Sequence, residues 1–370
     1  MLEIYRKALS DLEHDGRLRA LAPRLGHDFS SNDYLALAES TELAQAVQAA
    51  LERGVPVGAG GSRLLRGNHQ EHEMLEEEVA RFFGAESALY FGGGFPANSA
   101  LFATLPQAGD LILYDELIHA SAHDGMRMSR AERQSVAHND PQAFEDALKA
   151  HKGRGRVWLA VESLYSMDGD IAPLGDLMAL ADKYQAMLVI DEAHATGVLG
   201  PDGRGLTSAF EGAENVICLH TCGKALGGMG GLVCLAKPLK VYMINRARPF
   251  IFATAPSPLM ACVVRASLKL CQEQPQRRER LAALVDFTGQ RLRKMGVAPS
   301  GSQIQPIIVG APDAAVALAK KLQAKGYDIR AIRPPTVPEG TSRLRLAITL
   351  HVDEEVMGRM LDDLAQVWSP

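Results

Sequence analysis

The sequence lacks the paired cysteines that a disulfide framework or a redox motif would need. Its five cysteines are odd in number and none forms a Cys-x-x-Cys pair, which predicts reduced thiols, as in cytoplasmic proteins. The N-terminal residues do not combine a charged stretch with an apolar core, so no secretory signal is predicted. We therefore expect a cytoplasmic protein.

An excess of positive charge is also missing. Lys and Arg number 39 against 44 Asp and Glu, the formal net charge is −5, and the basic residues are scattered along the chain. Nucleic acids and anionic membranes attract proteins through clustered Lys and Arg. The composition therefore predicts that neither is a partner.

One charge-free run, residues 88–109, is long enough to span a membrane. It contains Gly92, Gly93, Gly94 and Pro96, a pattern typical of a strand, a glycine turn and a helix, so we interpret it as a buried segment. The zinc motif HExxH is absent, and the His/Glu cluster at residues 69–73 is typical of a solvated first helical turn. No metal site is predicted.

Strand and helix patterns alternate through the first two thirds of the chain, which predicts βαβ units and a mostly parallel sheet. The last hundred residues instead predict a small α+β unit. At this length two domains are expected. We predict a helical arm at 1–40, a large α/β domain at 41–270 and a small C-terminal α+β domain at 271–370. The predicted strands are 88–91, 111–114, 157–162, 187–190, 216–219, 232–235, 304–309, 328–332 and 344–349; the predicted helices include 71–83, 98–105, 142–150, 174–184, 314–324 and one from Asp353.

Two motifs at the ends of predicted strands indicate the chemistry. Asp191 ends a buried apolar strand and His194 follows on the next turn, at the edge of the sheet where α/β proteins bind ligands. Lys224 follows the next strand within a run of small residues, where partial burial favours a Schiff-base lysine. The alternatives are a Walker-B-like or helix-capping acid and a phosphate-binding loop. The spacing G-x-x-x-x-G-K-[ST] is absent around Lys224, which weakens the second alternative.

Three further junctions supply candidate contacts. Gly94 and Phe95 lie at a strand-to-helix turn, where free N–H groups suit a phosphate, although any α/β turn can be glycine-rich. His119 follows a strand and is positioned to stack on a planar ring; alternatively it is an ordinary loop or core histidine. Arg343 and Arg345 point to one face of a strand, and one of them could hold a carboxylate with its planar fork; alternatively they are a solubilising edge pair.

These segments together resemble the fold-type I pyridoxal-phosphate (PLP) enzymes, and specifically the α-oxoamine synthases, which condense an amino acid with an acyl thioester and release carbon dioxide. The resemblance runs from residues 29–35 to the C-terminal strand. It implies an α/β fold like that of aspartate aminotransferase, with a mostly parallel seven-stranded sheet and a small C-terminal domain. Four segments are most similar to family members that join L-alanine to a pimeloyl thioester, on CoA or an acyl-carrier protein, in biotin biosynthesis: residues 137–140, 304–310, 331–338 and 340–345.

The resemblance also implies roles for individual residues. Lys224 would form the Schiff base with the cofactor, and Asp191 would hold its pyridinium nitrogen. The other cofactor and substrate contacts implied are His119 against the ring, His194 and Ser166 on the ring-hydroxyl side, Thr221, Gly94 and Phe95 at the phosphate, Arg345 at the amino-acid carboxylate, and Arg19 and Thr336 at the acyl substrate. The glycine loop at residues 58–62 would reach a partner's site, which implies a homodimer.

Two departures from the family pattern leave the substrates open. Ala195 replaces the usual glycine, and His220-Thr221-Cys222 is an uncommon sequence before Gly-Lys. Sister enzymes that use glycine with acetyl-CoA or succinyl-CoA, or serine with palmitoyl-CoA, share the same cofactor motifs. A regulator that binds the cofactor without catalysis is disfavoured, because the chain has no spare length for a DNA-binding module.

Overall fold

The computed structural model describes residues 1–368 and divides the chain into two compact units. The larger comprises Leu35–Ser166 and Ile171–Arg278; the smaller comprises Met1–Tyr34, Met167–Asp170 and Glu279–Pro370. The domain boundaries at residues 40 and 270 remain a prediction. The last two residues of the predicted C-terminal domain, 369 and 370, lie outside the described part of the chain.

The elements are numbered along the chain. The strands are β1 His27–Asp28, β2 Ser87–Phe91, β3 Leu111–Asp115, β4 Glu132–Val136, β5 Val157–Glu162, β6 Met187–Asp191, β7 Val216–Thr221, β8 Gly231–Leu235, β9 Ile304–Gly310, β10 Tyr327–Asp328, β11 Ala331–Ile332 and β12 Ser342–Ala347. The helices are α1 Glu3–His14, α2 Thr41–Glu52, α3 Gln70–Phe83, α4 Gly94–Thr104, α5 Ala120–Met128, α6 Pro141–Ala150, α7 Leu174–Tyr184, α8 Lys237–Arg246, α9 Arg248–Ile251, α10 Pro258–Glu273, α11 Pro275–Lys294, α12 Pro312–Gln323 and α13 Glu354–Val367.

A seven-stranded sheet organises the larger unit, in the order β2-β8-β7-β6-β5-β3-β4. Strand β8 runs antiparallel to both of its neighbours, β2 and β7, and every other neighbouring pair in the sheet is parallel. The predicted α/β class with a mostly parallel sheet is therefore confirmed. Because β3, β5, β6 and β7 are parallel neighbours, their carboxyl ends meet at one edge of the sheet.

Helix α4 is part of the core of this unit. Ala97, Leu101 and Phe102 on α4 are buried with apolar residues of the strands, such as Trp158 and Val189. Burial of a leucine or phenylalanine side chain contributes about 1.5–3 kcal/mol to the free energy of folding. The packing therefore fixes the N-terminus of α4, which begins directly after the glycine turn.

The edge strand β4 was missed by sequence reasoning. Four of its five residues are exposed and polar, so the apolar pattern on which the other strand predictions relied is absent there. It pairs with β3 in parallel along its whole length.

The smaller unit contains an antiparallel sheet, β11-β12-β9, together with α12 and α13. The N-terminal segment joins this unit because β1 pairs with β10 in parallel and the Ala347 amide donates to the carbonyl of Phe29 at 3.0 Å. The single strand predicted at 328–332 is wrong: β10 pairs with β1, whereas β11 pairs with β12. Within residues 1–368, no helix is long and apolar enough to cross a membrane.

Candidate active site

Asp191 lies at the carboxyl end of β6 with its carboxylate almost fully buried. Its Oδ2 accepts a hydrogen bond from Asn98 Nδ2 at 2.6 Å, and its Oδ1 accepts one from the backbone N–H of Ala193 at 2.9 Å. Two donors on different oxygens hold this buried carboxylate in one orientation. It can therefore hold a protonated ring nitrogen.

A chain of hydrogen bonds connects Asp191 to His119, which caps the N-terminus of α5. Asn98 Nδ2 donates to Ser121 Oγ at 3.0 Å, and Ser121 Oγ lies 2.7 Å from His119 Nδ1. The Ser121 amide also donates to His119 Nδ1 at 3.2 Å, so this nitrogen is an acceptor. In the neutral ring the proton is therefore on Nε2, the nitrogen not used by Ser121.

Electrostatics favour the neutral form of His119. Burial lowers its pKa; the negative charge of Asp191 opposes this shift, and the positive charge of Lys224 adds to it. Both charges act on this ring, so the structure brings His119, Asp191 and Lys224 close together, and their joint role stays a prediction. A neutral imidazole suits face-to-face stacking on a planar cofactor and leaves one N–H for a substrate oxygen.

The Lys224 amine lies beside His194, with Nζ and Nε2 2.9 Å apart. Both follow strands that end at the same sheet edge, β7 and β6. The turn that carries Lys224 is closely packed against residues 37 and 38. A Cβ at Gly227 would lie 2.5–2.7 Å from atoms of Leu37 and Ala38. The small residues around Lys224 therefore allow this turn to approach its neighbours.

The glycine turn before α4 forms a candidate phosphate site. A Cβ at Gly94 would lie 2.5 Å from Thr221 Cγ2, so only glycine lets the N-terminus of α4 approach β7 this closely. Thr221 Oγ1 donates to the carbonyl of Ala193 at 3.2 Å, and the Phe95 and His119 rings meet edge to face at 6.4 Å. A helix N-terminus with exposed amides is suited to bind a phosphate group.

These residues fit PLP. The amine of Lys224 can bind its aldehyde, the carboxylate of Asp191 can bind its pyridinium nitrogen, and the N-terminus of α4 can bind its phosphate. The predicted contacts Ser166 and His194 lie in the same unit and are both buried. The assignment of each contact remains a prediction.

Two polar residues were missed as site residues. Asn98 was recognised only as part of the glycine-rich segment, although it links Asp191 to Ser121. Glu162 is paired in register with Asp191 on the neighbouring strand, so both side chains leave the same face of the sheet. Its Oε2 accepts from the Ser166 amide at 3.1 Å, and its buried Oε1 has no hydrogen-bond partner. The signal available in the sequence was the position of Glu162, an acidic residue at the end of a predicted strand.

Glu162 should give the protein a measurable pH dependence of stability. Burial, and then the negative charge of Asp191, raise its pKa well above the usual range, so the folded protein retains a proton that the unfolded chain releases at about pH 4.3. The resulting stabilisation is complete below the unfolded pKa and is lost as pH rises through the folded pKa. Glu162→Gln keeps a neutral group of the same shape with no proton to lose.

We therefore expect the melting temperature of Glu162→Gln to exceed that of the wild type by a margin that grows as pH rises above about 4.3. Thermal unfolding across the pH range measures this margin. The exposed Glu214→Gln is the control and should follow the wild type at every pH. Parallel curves for Glu162→Gln and the wild type would show that Glu162 is ionised.

The predicted substrate contacts other than His119 lie in the smaller unit. Arg345 is buried on β12 and donates from Nη2 to the Tyr34 hydroxyl at 3.3 Å. Burial raises the pKa of Tyr34 although Arg345 opposes the shift. Arg343 forms an ion pair with Asp168 and donates to the carbonyl of Thr341. The charge of Arg343 is therefore balanced by Asp168 within its own unit.

Arg19 and Thr336 are brought together, as expected for two contacts to one substrate group. Arg19 Nη2 donates to Thr336 Oγ1 at 3.0 Å, although the two residues are far apart in sequence. The neighbouring Arg333 has a lowered pKa because of burial and then the positive charge of Arg19. The His69 and His72 cluster, in contrast, caps the N-terminus of α3: His69 Nδ1 accepts from the Glu71 amide, and His72 Nδ1 accepts from the His69 amide.

Comparison with known proteins identifies relatives across most of the chain. The family model "Aminotransferase class I and II" matches residues 26–364. An 8-amino-7-oxononanoate synthase of Chromobacterium violaceum is 43% identical over 337 residues, covering 90% of this chain and 87% of the relative. One from Burkholderia cenocepacia is 40% identical over 389 residues, covering 99% and 94%.

Solved structures share the fold at lower identity. Serine palmitoyltransferase of S. paucimobilis, with a PLP–myriocin adduct bound, has a TM-score of 0.90 and 25% identity, covering 99% of this chain and 96% of that chain. An 8-amino-7-oxononanoate synthase of Francisella tularensis has a TM-score of 0.78 and 27% identity, covering 92% and 97%. Backbone similarity therefore does not separate these two activities, whereas the two more identical relatives described above both carry the name 8-amino-7-oxononanoate synthase.

Proposed function

Because the chain belongs to the class I and II aminotransferase family, and within it to the 8-amino-7-oxononanoate synthases, we propose how its residues divide the work of that reaction. The protein is a PLP-dependent acyltransferase of biotin biosynthesis. The proposed substrates are L-alanine and a pimeloyl thioester, and the products are 8-amino-7-oxononanoate, carbon dioxide and the free thiol. The observation that supports this assignment in the structure is the convergence of Lys224, Asp191 and His119 at one edge of the sheet.

When bound, PLP withdraws electrons from the amino-acid Cα so that this carbon can lose a proton and attack the thioester. The chain has to keep the ring nitrogen charged, accept the Cα proton and hold the substrates. Asp191, fixed by Asn98, serves the first task. The Lys224 amine accepts and returns the proton at Cα. His119, with its proton on Nε2, donates to a substrate oxygen.

Arg345 is proposed to recognise the carboxylate of alanine through its planar fork. Arg345→Lys retains the charge but not the paired donors, so alanine affinity should weaken by about 1.5–3 kcal/mol, the range of a hydrogen bond to a charged group. Titrating alanine against the absorbance of the bound cofactor measures this affinity. The spectrum before alanine is added should be unchanged.

Arg343→Lys is the matched control for Arg345, since it is the same substitution on the same strand. It weakens the ion pair with Asp168 and should leave the alanine midpoint close to that of the wild type. A large shift for Arg343→Lys combined with no shift for Arg345→Lys would transfer the carboxylate to Arg343.

The acyl substrate and the assembly are the finer parts of the proposal. Arg19 and Thr336, already hydrogen-bonded to each other, are proposed to contact the pimeloyl group. The acyl chain is carried on CoA or on an acyl-carrier protein. The glycine loop at residues 58–62 is proposed to complete the site of a partner subunit in a homodimer.

Release of the thiol across a matrix of substrates tests the proposed function. Alanine, glycine, serine and threonine would each be combined with pimeloyl, acetyl, succinyl and palmitoyl thioesters, on CoA and, for pimeloyl, also on carrier protein. Alanine with a pimeloyl thioester should give the highest kcat/KM by at least about tenfold, the effect of roughly 1.4 kcal/mol in transition-state binding. A higher value for glycine or serine with another acyl group would assign the chain to a sister activity.

A further inference from the structure

A second buried polar cluster lies in the larger unit beside the residues that precede Lys224. It consists of Glu211, from the loop before β7, His220 on β7 and Cys234 on β8. One ligand atom of each lies within 4.8 Å of the others. The side chains of Glu211 and His220 are 1% and 0% exposed. None of these residues has a role in the proposed reaction.

The hydrogen bonds of Thr196 fix the tautomer of His220. The hydroxyl of Thr196 has one hydrogen, which it donates to the carbonyl of Glu192 at 2.7 Å. Its 2.8 Å contact with His220 Nδ1 must therefore be an N–H···O bond donated by the imidazole. His220 Nδ1 carries a proton, and Nε2 has the lone pair of the neutral ring.

That lone pair faces a carboxylate. His220 Nε2 lies 2.9 Å from Glu211 Oε1, and Glu211 Oε2 accepts from the Thr207 hydroxyl at 3.3 Å. At 2.9 Å this contact is a hydrogen bond, which a metal ion would have to replace. The third group of the cluster is the Cys234 thiol, and sulfur together with imidazole suits zinc better than a hard cation.

The neighbouring sulfur atoms match a zinc ligand set. Cys218 is paired in register with Cys234 and lies two residues before His220, so all three side chains leave the same face of the sheet. Imidazole, carboxylate and thiolate are the groups that bind Zn²⁺. We propose that Glu211, His220 and Cys234, whose ligand atoms lie within 4.8 Å of one another, form a site for Zn²⁺.

The surroundings of the cluster suit such a site. The ring of His220 is stacked on Phe83 at 3.6 Å, and its Nδ1 is held by Thr196. Metal-ligating histidines are typically oriented by a hydrogen bond of this kind from the other ring nitrogen.

Charge balance explains how a buried cluster can accept a divalent ion. Zn²⁺ displaces the proton between His220 and Glu211 and the thiol proton of Cys234. Both protons go to solvent, so the total charge of these three groups and the cation is unchanged. No additional net charge is buried, which removes the main cost of placing an ion in an apolar interior.

Zinc binding to the intact holoenzyme tests the proposal. After chelator treatment, removal of the chelator and addition of ZnSO₄, dialysed wild-type protein should retain about one zinc per chain by elemental analysis. Competition with a chromophoric chelator should show that Cys234→Ser and Glu211→Gln each bind zinc at least about tenfold more weakly, the lower bound expected for loss of a ligand. Cys271→Ser, a buried free thiol on α10 outside the cluster, is the matched control and should bind as the wild type does.

A wild-type measurement protects the test from variants that fail to fold. Adding ZnSO₄ to metal-free holoenzyme in weak buffer should release about two protons per zinc bound at low pH, followed with an indicator dye. Zinc that is lost on dialysis, or retained equally by Cys234→Ser and Cys271→Ser, would overturn the proposal. The cluster would then be a protonated histidine–glutamate pair.

Discussion

Replacing Asp191 with asparagine should lower kcat by about 10²- to 10³-fold while the cofactor still binds. An amide cannot keep the ring nitrogen protonated, so the driving force for removing the Cα proton is reduced. Loss of one strong charge-assisted hydrogen bond corresponds to roughly 2–4 kcal/mol in the transition state. Steady-state thiol release, together with the absorbance of bound cofactor, measures the two effects separately.

Asp176→Asn is the control for this substitution, because Asp176 is an exposed residue in the first turn of α7. It should leave kcat unchanged. If Asp191→Asn retained activity within a few-fold of the wild type, Asp191 would not be the partner of the ring nitrogen. Its hydrogen bonds to Asn98 and the Ala193 amide would then be purely structural.

Lys224→Ala should have a larger effect, because it removes both the amine that bonds the cofactor and the base that moves the Cα proton. A positioned general base contributes about 10²- to 10⁴-fold, so we expect kcat to fall by at least that factor. The purified variant should also lose the absorbance band of the covalently bound cofactor. Stopped assays for 8-amino-7-oxononanoate measure the residual rate.

Lys237→Ala removes an exposed lysine at the start of α8 and serves as the control. Adding a small primary amine to Lys224→Ala tests the role of the proton acceptor directly, since such an amine can replace the missing base. Substantial activity in Lys224→Ala without added amine would contradict the role assigned to this residue.

The centre of the site could be predicted from sequence because it follows from a simple rule of topology. Asp191 and Lys224 each come directly after an apolar strand, and the carboxyl ends of neighbouring parallel strands meet at one edge. The same rule applies to His119, which follows β3 and lies close enough to Asp191 and Lys224 to feel both charges. Resemblance to a known family supplied the names of the cofactor and substrates, which the rule alone does not provide.

The supporting residues could not be predicted in the same way. Asn98 is on α4, and its contact with Asp191 spans 93 positions of sequence, so no local pattern announces it. Glu162 was seen as a strand end, but its partnership with Asp191 depends on the register of β5 and β6. The cluster of Glu211, His220 and Cys234 combines three elements, whereas known zinc motifs depend on short spacings.

The choice between Arg343 and Arg345 illustrates a limit of periodicity. Both side chains point to the same face of β12, so the period of the strand does not distinguish them. The structure adds the ion pair of Arg343 with Asp168, a residue far away in sequence, and the alanine titration of the two lysine variants decides between the arginines.

The most direct test of the account is to identify the residue that carries the cofactor. The purified holoenzyme would be reduced with borohydride, digested, and the peptide bearing the cofactor sequenced by mass spectrometry. We predict a single labelled peptide with the modification on Lys224 and loss of the visible absorbance band. A label on any other lysine, or no label in a protein that binds PLP, would contradict the central claim.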